Sequence, residues 1–418
     1  MSQITIVGAG VVGLACAWSA QRNGWKVTII DRDFEGDRAS HGNAGGIAVS
    51  ESTPMAISGF SLKAVKWLLD PLGPLSIRIQ HAPKLIPWFL AFNQVNKIEN
   101  YRKLSHALAS LNNRALNDLQ PMLRDLGLAG ELHHRGALSV YETDKAFEED
   151  AVEWNWKRQL GVRWRAVDAD ELRNLEPGLA PVFRHGIMIE DWAHVNDPKT
   201  IVDTLRNRIR ALGAKFVTAE ITKLDASNPQ KPAAISADGT RYESERLLVT
   251  SGAWSAKLTA SIGDKILLES ERGYNTTLPA SAQKLNREVI FAERKFVATP
   301  LAIGLRIGGA AEFAGLEAPA NYQRSEALLS LARRFIPGLD ESGGKQWMGH
   351  RPATPDSIPV LGASPKSPNI LYAFGHGHLG LTQAATTAAL ITDLLAGRTP
   401  GTDLSPFSIQ RFSAHQPN

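Results

Sequence analysis

The sequence predicts an α/β protein in which a parallel-sheet domain, assembled from separated stretches of chain, is joined to a second domain with a mainly antiparallel sheet and helices. Three observations predict it. Residues 1–31 read as a compact strand–helix–strand unit. Helix and strand patterns mix through the rest of the chain, with no internal repeat and no low-complexity tract. Glycine-bearing turns between strand and helix patterns stand near both ends, which implies that both ends return to one sheet. The 418 residues leave room for two or three domains at about 100–200 residues each.

The elements follow in order. Ile4–Val7 is an apolar strand, and Val11–Asn23 a helix stopped by Gly24; Lys26–Ile30 is the second strand, with Asp31 at its end. Residues 35–55 are rich in Gly, Ser and Asn and read as loop. Residues 56–126 read as helical, with breaks at Pro71, Pro74, Pro83 and Pro87. Gly136–Tyr141 alternates like a strand, Lys145–Leu160 has helical composition, and Asp168–Leu175 is a short helix before Pro177. Pro198–Leu212 is amphipathic, with Ile201, Leu205, Ile209 and Leu212 on one face and Arg206, Arg208 and Arg210 on a solvated one. Lys215–Val217, Ala233–Ala237 and Leu247–Thr250 are strands, and 264–310 is mainly strand. Glu326–Phe335 is helical, and Ile370–Phe374 is a strand feeding a final helix, Leu379–Ala396. The parallel-sheet domain thus takes 1–55, 190–262 and 345–418, and the second domain takes 56–189 and 263–344.

Composition excludes several classes. Hydrophobic residues make up 43% and charged residues 21%, so the chain folds. A single cysteine, Cys16, excludes a disulfide framework and a thiolate metal cluster and fits a reducing compartment. A net charge of +4 is too small a bias for nucleic acid. The apolar stretch 4–17 has no basic residue before it and is broken by Gly8, Gly10 and Gly13, so it is a strand and turn rather than a signal peptide. No apolar run reaches membrane-spanning length. A cytoplasmic protein is expected. Trp67, Trp88, Phe89 and Phe92 leave peripheral contact with the inner face of a membrane open, against simple packing over the second domain. His133, His134, His376 and His378 lack the further ligands a metal needs, so no metal is expected. Asn275-Thr-Thr277 matches a glycosylation sequon but carries no weight without a secretory signal.

Gly8-Ala-Gly10-Val-Val-Gly13 joins the first strand to the first helix. Gly8 permits the tight turn, Gly10 lets a pyrophosphate approach the backbone, and Gly13 lets helix pack on strand, as in the dinucleotide-binding Rossmann unit. The helix N-terminus turns N–H groups and positive dipole towards phosphate. Asp31 ends the second strand 18 residues beyond Gly13, where a carboxylate accepts ribose hydroxyls and repels a 2′-phosphate. The motif does not separate NAD from FAD. Three distant turns lean towards flavin: Ser40–Gly46, Leu247–Ser255 and Gly375–Thr382. A helix N-terminus at the last of these would favour the negative charge that reduction places on a flavin ring.

Jointly these segments resemble the FAD-dependent D-amino-acid oxidase family, in its D-amino-acid dehydrogenase and glycine oxidase branch. The likeness spans nearly the whole chain. Besides the turns above, it is carried by Glu271-Arg272-Gly273-Tyr274, by Gly304-Leu-Arg306-Ile-Gly-Gly309 and by Arg351–Gly362. The resemblance implies FAD, with Gly8, Gly10, Val11, Val12 and Gly13 at its phosphates and Asp31 and Arg32 near the adenosine. It implies that Ser40, Asn43, Gly45, Gly46 and Ile47 line the path to the flavin and that Ile221 lies at the adenine. It further implies Ser251, Gly252, Trp254 and Arg351 beside the cofactor, with Gly377, His378, Leu379, Gly380, Leu381 and Thr382 at the pyrimidine end. Some relatives attach flavin through a late cysteine; here the only cysteine is early, which implies non-covalent FAD.

Oxidising a Cα–N bond requires Cα–H aimed at flavin N5, an amine that is neutral as hydride leaves, and a held carboxylate. A forked arginine suits the carboxylate. The resemblance implies Arg306, with Tyr274 as a second group; Tyr274, Arg351, His41 and His378 equally fit structural roles. No general base is assigned. The resemblance extends to D-proline and D-hydroxyproline dehydrogenases through Glu271–Tyr274 and Asn43–Gly46, which implies a cyclic D-imino acid. Glycine, sarcosine or opine oxidation, a flavin-binding subunit of a larger complex, and an NAD-dependent dehydrogenase remain open, as do oxygen or a quinone as acceptor and the oligomeric state.

Overall fold

A computed structural model describes residues 2–55, 73, 75–279 and 285–415. The expected helical stretch 56–72, with Trp67 and Pro71, and the break at Pro74 lie outside the described residues.

A six-stranded sheet runs from edge to edge as Lys215–Thr218, Lys26–Asp31, Gln3–Val7, Arg246–Val249, Ser367–Phe374 and Val360–Ser364. The first five are parallel, and the sixth is antiparallel to its neighbour. Alternation sends successive residues to opposite faces. Ile4, Ile6, Leu248 and Leu371 pack under the helices Val11–Arg22, Pro198–Ala211 and Gly380–Leu395. Val7, Leu247, Val249 and Tyr372 pack on the other side with Leu224 and Ala234 of a small three-stranded sheet. Both faces are covered, which is why Leu247–Val249 reads as unbroken apolar sequence.

The second sheet has nine strands. Eight lie in the order Lys345–Ala353, Glu269–Leu278, Gly304–Phe313, Phe296–Leu301, Glu288–Phe291, Ala137–Tyr141, His185–Ile189 and Trp164–Asp168; Leu75–Ile77 pairs with the far end of Gly304–Phe313. The pairing of Glu269–Leu278 with Gly304–Phe313 slips at Gly273/Tyr274, where Ala310, at φ 45°, is the extra residue of a bulge.

Several expectations are corrected here. Lys345–Ala353 belongs to the second sheet, so the last segment of the parallel-sheet domain begins after it. Leu75–Ile77 is a strand within the stretch expected to be helical. Pro83 lies at the start of the helix Ala82–Val95 and Pro87 inside it, so neither breaks it; the described breaks fall at 96–97 and 113–114. Gly46–Ile47, in the expected loop, forms a small sheet with Ala193–Val195 and Leu132–His133. Leu212 caps its helix and is half-exposed, and Arg206 leaves the solvated face to donate to the Phe34 carbonyl. Trp88 and Phe92 are buried beneath Ala82–Val95, while Ile86 and Leu90 of that helix are exposed. Among the described residues no helix is long and apolar enough to cross a membrane, and no group of three or more His, Cys, Asp or Glu could hold a metal ion.

Candidate active site

The C-terminal ends of the parallel strands and one face of the second sheet enclose a cavity of about 1140 Å³. That lies at the top of the usual range for ligand sites, roughly 300–1,000 Å³.

The first wall is mostly main chain. Gly8, Gly10, Val11 and Val12 line the cavity. Gly13 stands behind them: a Cβ there would collide with the Gly8 carbonyl and lie 2.5 Å from Thr250 Oγ1. The helix Val11–Arg22 has no side-chain cap on its N-terminus; Ser40 Oγ accepts the Val11 N–H at 3.0 Å from the loop above. Asp31 accepts N–H groups from Ala9 at 2.6 Å and Asp33 at 3.0 Å. A carboxylate has about four acceptor positions, which leaves two for ribose hydroxyls. The Arg32 guanidinium lies 4.1 Å from the Trp254 ring centre, and both line the cavity together with Ile221, Ser251 and Gly252.

At the far end Gly377, His378, Gly380 and Leu381 line the cavity, where the helix Gly380–Leu395 opens with no side-chain cap. Leu379 and Thr382 are buried behind them; Thr382 Oγ1 accepts the Ala48 N–H at 3.0 Å and so ties this helix to residues 46–48. Asn43 and Gly46 reach the cavity, whereas Gly45 and Ile47 do not. Asn43 Oδ1 accepts the Gly45 N–H at 2.7 Å, and Ile47 is fully buried. Burial pushes His376 down to about 3, so it is neutral, with Nε2 3.0 Å from Thr387 Oγ1. His378 is more exposed, and its Nε2 lies 3.9 Å from Glu51. Burial opposes ionisation of Glu51, but Lys157 and His378 outweigh it and hold that carboxyl down to about 2.

The second wall is made of side chains. The strand registers place Thr277, Arg306 and Thr299 in one cross-strand row; Glu288 precedes Val289, which pairs with Ala298, so the same register carries the row on to Glu288. Arg306 is 6% exposed. Its Nε donates to Thr277 Oγ1 at 2.9 Å, and its Nη1 donates to the carbonyls of Asn43 at 2.5 Å and His41 at 3.2 Å. Nη2 has no hydrogen-bond partner among the described residues. Burial lowers the Arg306 pKa, yet a guanidinium stays charged. Arg351 also lines the cavity, and Glu271 engages it at 2.8 Å.

For Tyr274 the sequence leaves a substrate role and a structural role equally open. The residue borders the cavity, but its hydroxyl donates to Glu312 at 2.5 Å and accepts the Asn321 N–H at 3.1 Å. The next residue, Asn275, donates to the Gly42 carbonyl at 2.7 Å, on the side where Arg306 meets the same loop. Consecutive strand residues point to opposite faces, so the phenol hydroxyl is turned from Arg306.

Sequence reasoning missed Glu288, Trp192 and Trp347, all in the lining. Glu288 is 2% exposed, accepts the Trp192 indole N–H at 3.1 Å, and is pushed up by burial to about 8. The available signal was a single acid heading the apolar strand Glu288-Val-Ile-Phe291.

A dinucleotide flavin fits this arrangement. Two uncapped helix N-termini open into one cavity, which suits a diphosphate at one end and an electron-rich ring edge at the other. Trp347 Nε1 is a buried donor in the lining without a partner among the described residues.

Comparison with known proteins agrees. The family model described as FAD dependent oxidoreductase matches residues 3–394. A D-amino-acid oxidase of Bradyrhizobium diazoefficiens is 35% identical over 416 residues, covering 98% of each chain. A D-amino acid dehydrogenase of Vibrio cholerae is 29% identical over 409 residues, covering 96% of each. The crystal structure of glycine oxidase from Geobacillus kaustophilus superposes with a TM-score of 0.75 at 20% identity, covering 98% of this chain and 99% of the other, which is a likeness of fold. With fold, cavity and whole-length sequence similarity in agreement, the chain belongs to the family of FAD-dependent oxidoreductases.

Proposed function

We propose that this enzyme oxidises D-amino acids at the Cα–N bond. The observation that carries this reading is Arg306, a buried cation facing the cavity with one guanidinium nitrogen lacking a partner among the described residues. It holds the substrate carboxylate, while the His41 and Asn43 carbonyls and Thr277 fix its plane. The curated relatives named for D-amino acids support the substrate class. Bound FAD would supply the hydride acceptor. Gly8–Val12 would hold its diphosphate, Asp31 its ribose, and the Gly377–Leu381 turn the pyrimidine end of its ring. The substrate loses one hydride and one proton, and water then converts the imine to an oxo acid. Oxygen or a quinone would be the final electron acceptor.

Within that class we favour cyclic D-imino acids such as D-proline or cis-4-hydroxy-D-proline, on the likeness of Glu271–Tyr274 and Asn43–Gly46. The test is anaerobic: the visible spectrum of the purified protein is followed as D- and L-amino acids are added singly. Flavin bleaching by D-substrates alone is expected. Bleaching by L-substrates, or by glycine derivatives only, would overturn the reading; bleaching by D-alanine but never by D-proline would overturn only the narrower one.

A further inference from the structure

Two buried carboxyls line the cavity, and they are treated differently. Glu271 is answered by Arg351 at 2.8 Å. Glu288, at 2% exposure, has only the Trp192 indole N–H, and no cation among the described residues pairs with it. The charge that acts on it is Glu51, which is itself paired with Lys157 at 4.0 Å and His378 at 3.9 Å. Arg306 shows the converse. It is a buried cation whose hydrogen-bond partners are a hydroxyl and two carbonyls, with no carboxylate among them; Asp197 acts on it as a charge without forming an ion pair.

A carboxyl without an ion-pair partner and a guanidinium without one thus face one cavity from one row. Thr299, fully buried and with Oγ1 lacking a partner among the described residues, stands between them in that row. Two strand spacings separate their backbones by about 9.6 Å. A zwitterion with about 3 Å between nitrogen and carboxylate oxygen, and a charge-assisted hydrogen bond of about 2.8 Å at each end, spans about 8–9 Å. Gly46 keeps the approach open, since a Cβ there would collide with Glu288 Oε2.

We propose that Glu288 receives the substrate nitrogen, pairing with the α-amino or ring imino group while Arg306 holds the carboxylate. The inference rests on the D-amino-acid reading above and deepens it. The ammonium supplies the counter-charge that Glu288 lacks, so the carboxyl releases its proton to solvent as substrate binds. It then takes one ammonium proton. The freed nitrogen lone pair forms the C=N bond as hydride leaves Cα for the flavin, and the substrate departs as an iminium ion.

The test compares the holoenzyme with E288Q, which keeps an acceptor for Trp192. Two probes are used: a D-substrate that bleaches the wild-type flavin, and 2-furoate, a carboxylate without basic nitrogen, whose binding is read from the flavin spectrum. The expected result is a loss of about tenfold or more in the rate constant of anaerobic reduction, the range of one charge-assisted hydrogen bond, with unchanged furoate affinity. E288D, with a shorter reach, should recover part of the rate. Equal reduction of E288Q and wild type overturns the inference alone. So does a parallel loss for both probes, or loss of flavin by both variants, because a merely structural carboxyl would behave so. Wild-type flavin that no D-amino or D-imino acid reduces overturns the underlying reading, and the inference falls with it.

Discussion

On the parallel-sheet side the cavity is walled by main chain: the Gly8–Val12 turn and the Gly377–Leu381 turn, each opening a helix without a side-chain cap. On the other side it is walled by the side chains of Arg306 and Glu288, set on strands that meet only in the sheet. The first wall offers N–H groups and helix dipoles, which suit phosphate whatever the adjoining side chains. The second offers a buried cation and a buried carboxyl that can ionise against an arriving cation, which suits a small zwitterion. Substitutions should therefore fail in different ways on the two walls, cofactor loss on one and substrate discrimination on the other.

The largest expected effect is G13V. The new side chain needs the space of the Gly8 carbonyl, which is backbone and cannot give way cheaply. Overpacking of about 3 kcal/mol would already weaken FAD by more than about 100-fold. The protein should purify colourless and resist reconstitution. A yellow G13V with unchanged FAD affinity would break the assignment of this wall to the diphosphate.

R306M comes next. Losing charge-assisted hydrogen bonds to a carboxylate should lower kcat/KM by about 10²–10³-fold while FAD stays bound. R306K keeps the charge but loses the fork and the ties to His41 and Asn43, and should recover only part. An R306M enzyme with unaltered kcat/KM would remove the carboxylate site from this wall.

A smaller effect appears in stability. Folded Glu288 titrates at about 8 against an ordinary value of 4.5. Between those values the native state holds a proton that the unfolded chain has released, so this group's contribution to stability falls as pH rises. E288Q holds no such proton. Its Tm should exceed that of wild type by an amount that grows from pH 5 to pH 8 and then levels, worth a few kcal/mol at most. Buried His194 and half-buried His350, held down to about 4, and buried His376, at about 3, act with the opposite sign. They weaken the fold as pH falls below about 6.5, where unfolded histidine takes up protons. They are common to both proteins and cancel in the difference. A Tm difference that is flat with pH would mean that Glu288 is ionised in the substrate-free enzyme.

The same contrast explains what the sequence revealed. The first wall is written in contiguous residues, because a turn and the helix it opens are local; Gly8–Gly13 and Asp31 could be read directly. The row of Thr277, Arg306, Thr299 and Glu288 draws on four strands, and no spacing along the chain announces it. Lys345–Ala353 escaped because it carries Gly349 and Pro352, which weaken a strand pattern and are tolerated at the sheet edge it occupies. Leu75–Ile77 is too short for any periodicity. Tyr274 stayed open between two roles for a different reason. Its strand was legible, but which face each residue takes depends on register, and one position separates Tyr274 from Asn275.

Y274F sharpens that last point and has the smallest expected effect on catalysis. If the phenol helped to hold the substrate carboxylate, removing its hydroxyl would raise KM by about tenfold, the range of one hydrogen bond to a charged group. In the structure the hydroxyl serves Glu312 and the Asn321 N–H instead. Glu312 keeps Arg78 at 2.9 Å and Arg272 at 3.7 Å when the hydroxyl is gone, so its charge stays compensated. The Asn321 N–H loses its acceptor. The expected cost is therefore about 1–2 kcal/mol of stability, read from urea unfolding, with KM changed less than about twofold. The opposite pattern, intact stability with a raised KM, would put the hydroxyl on the substrate side and require the second wall to be redrawn around Tyr274 and Arg306 together.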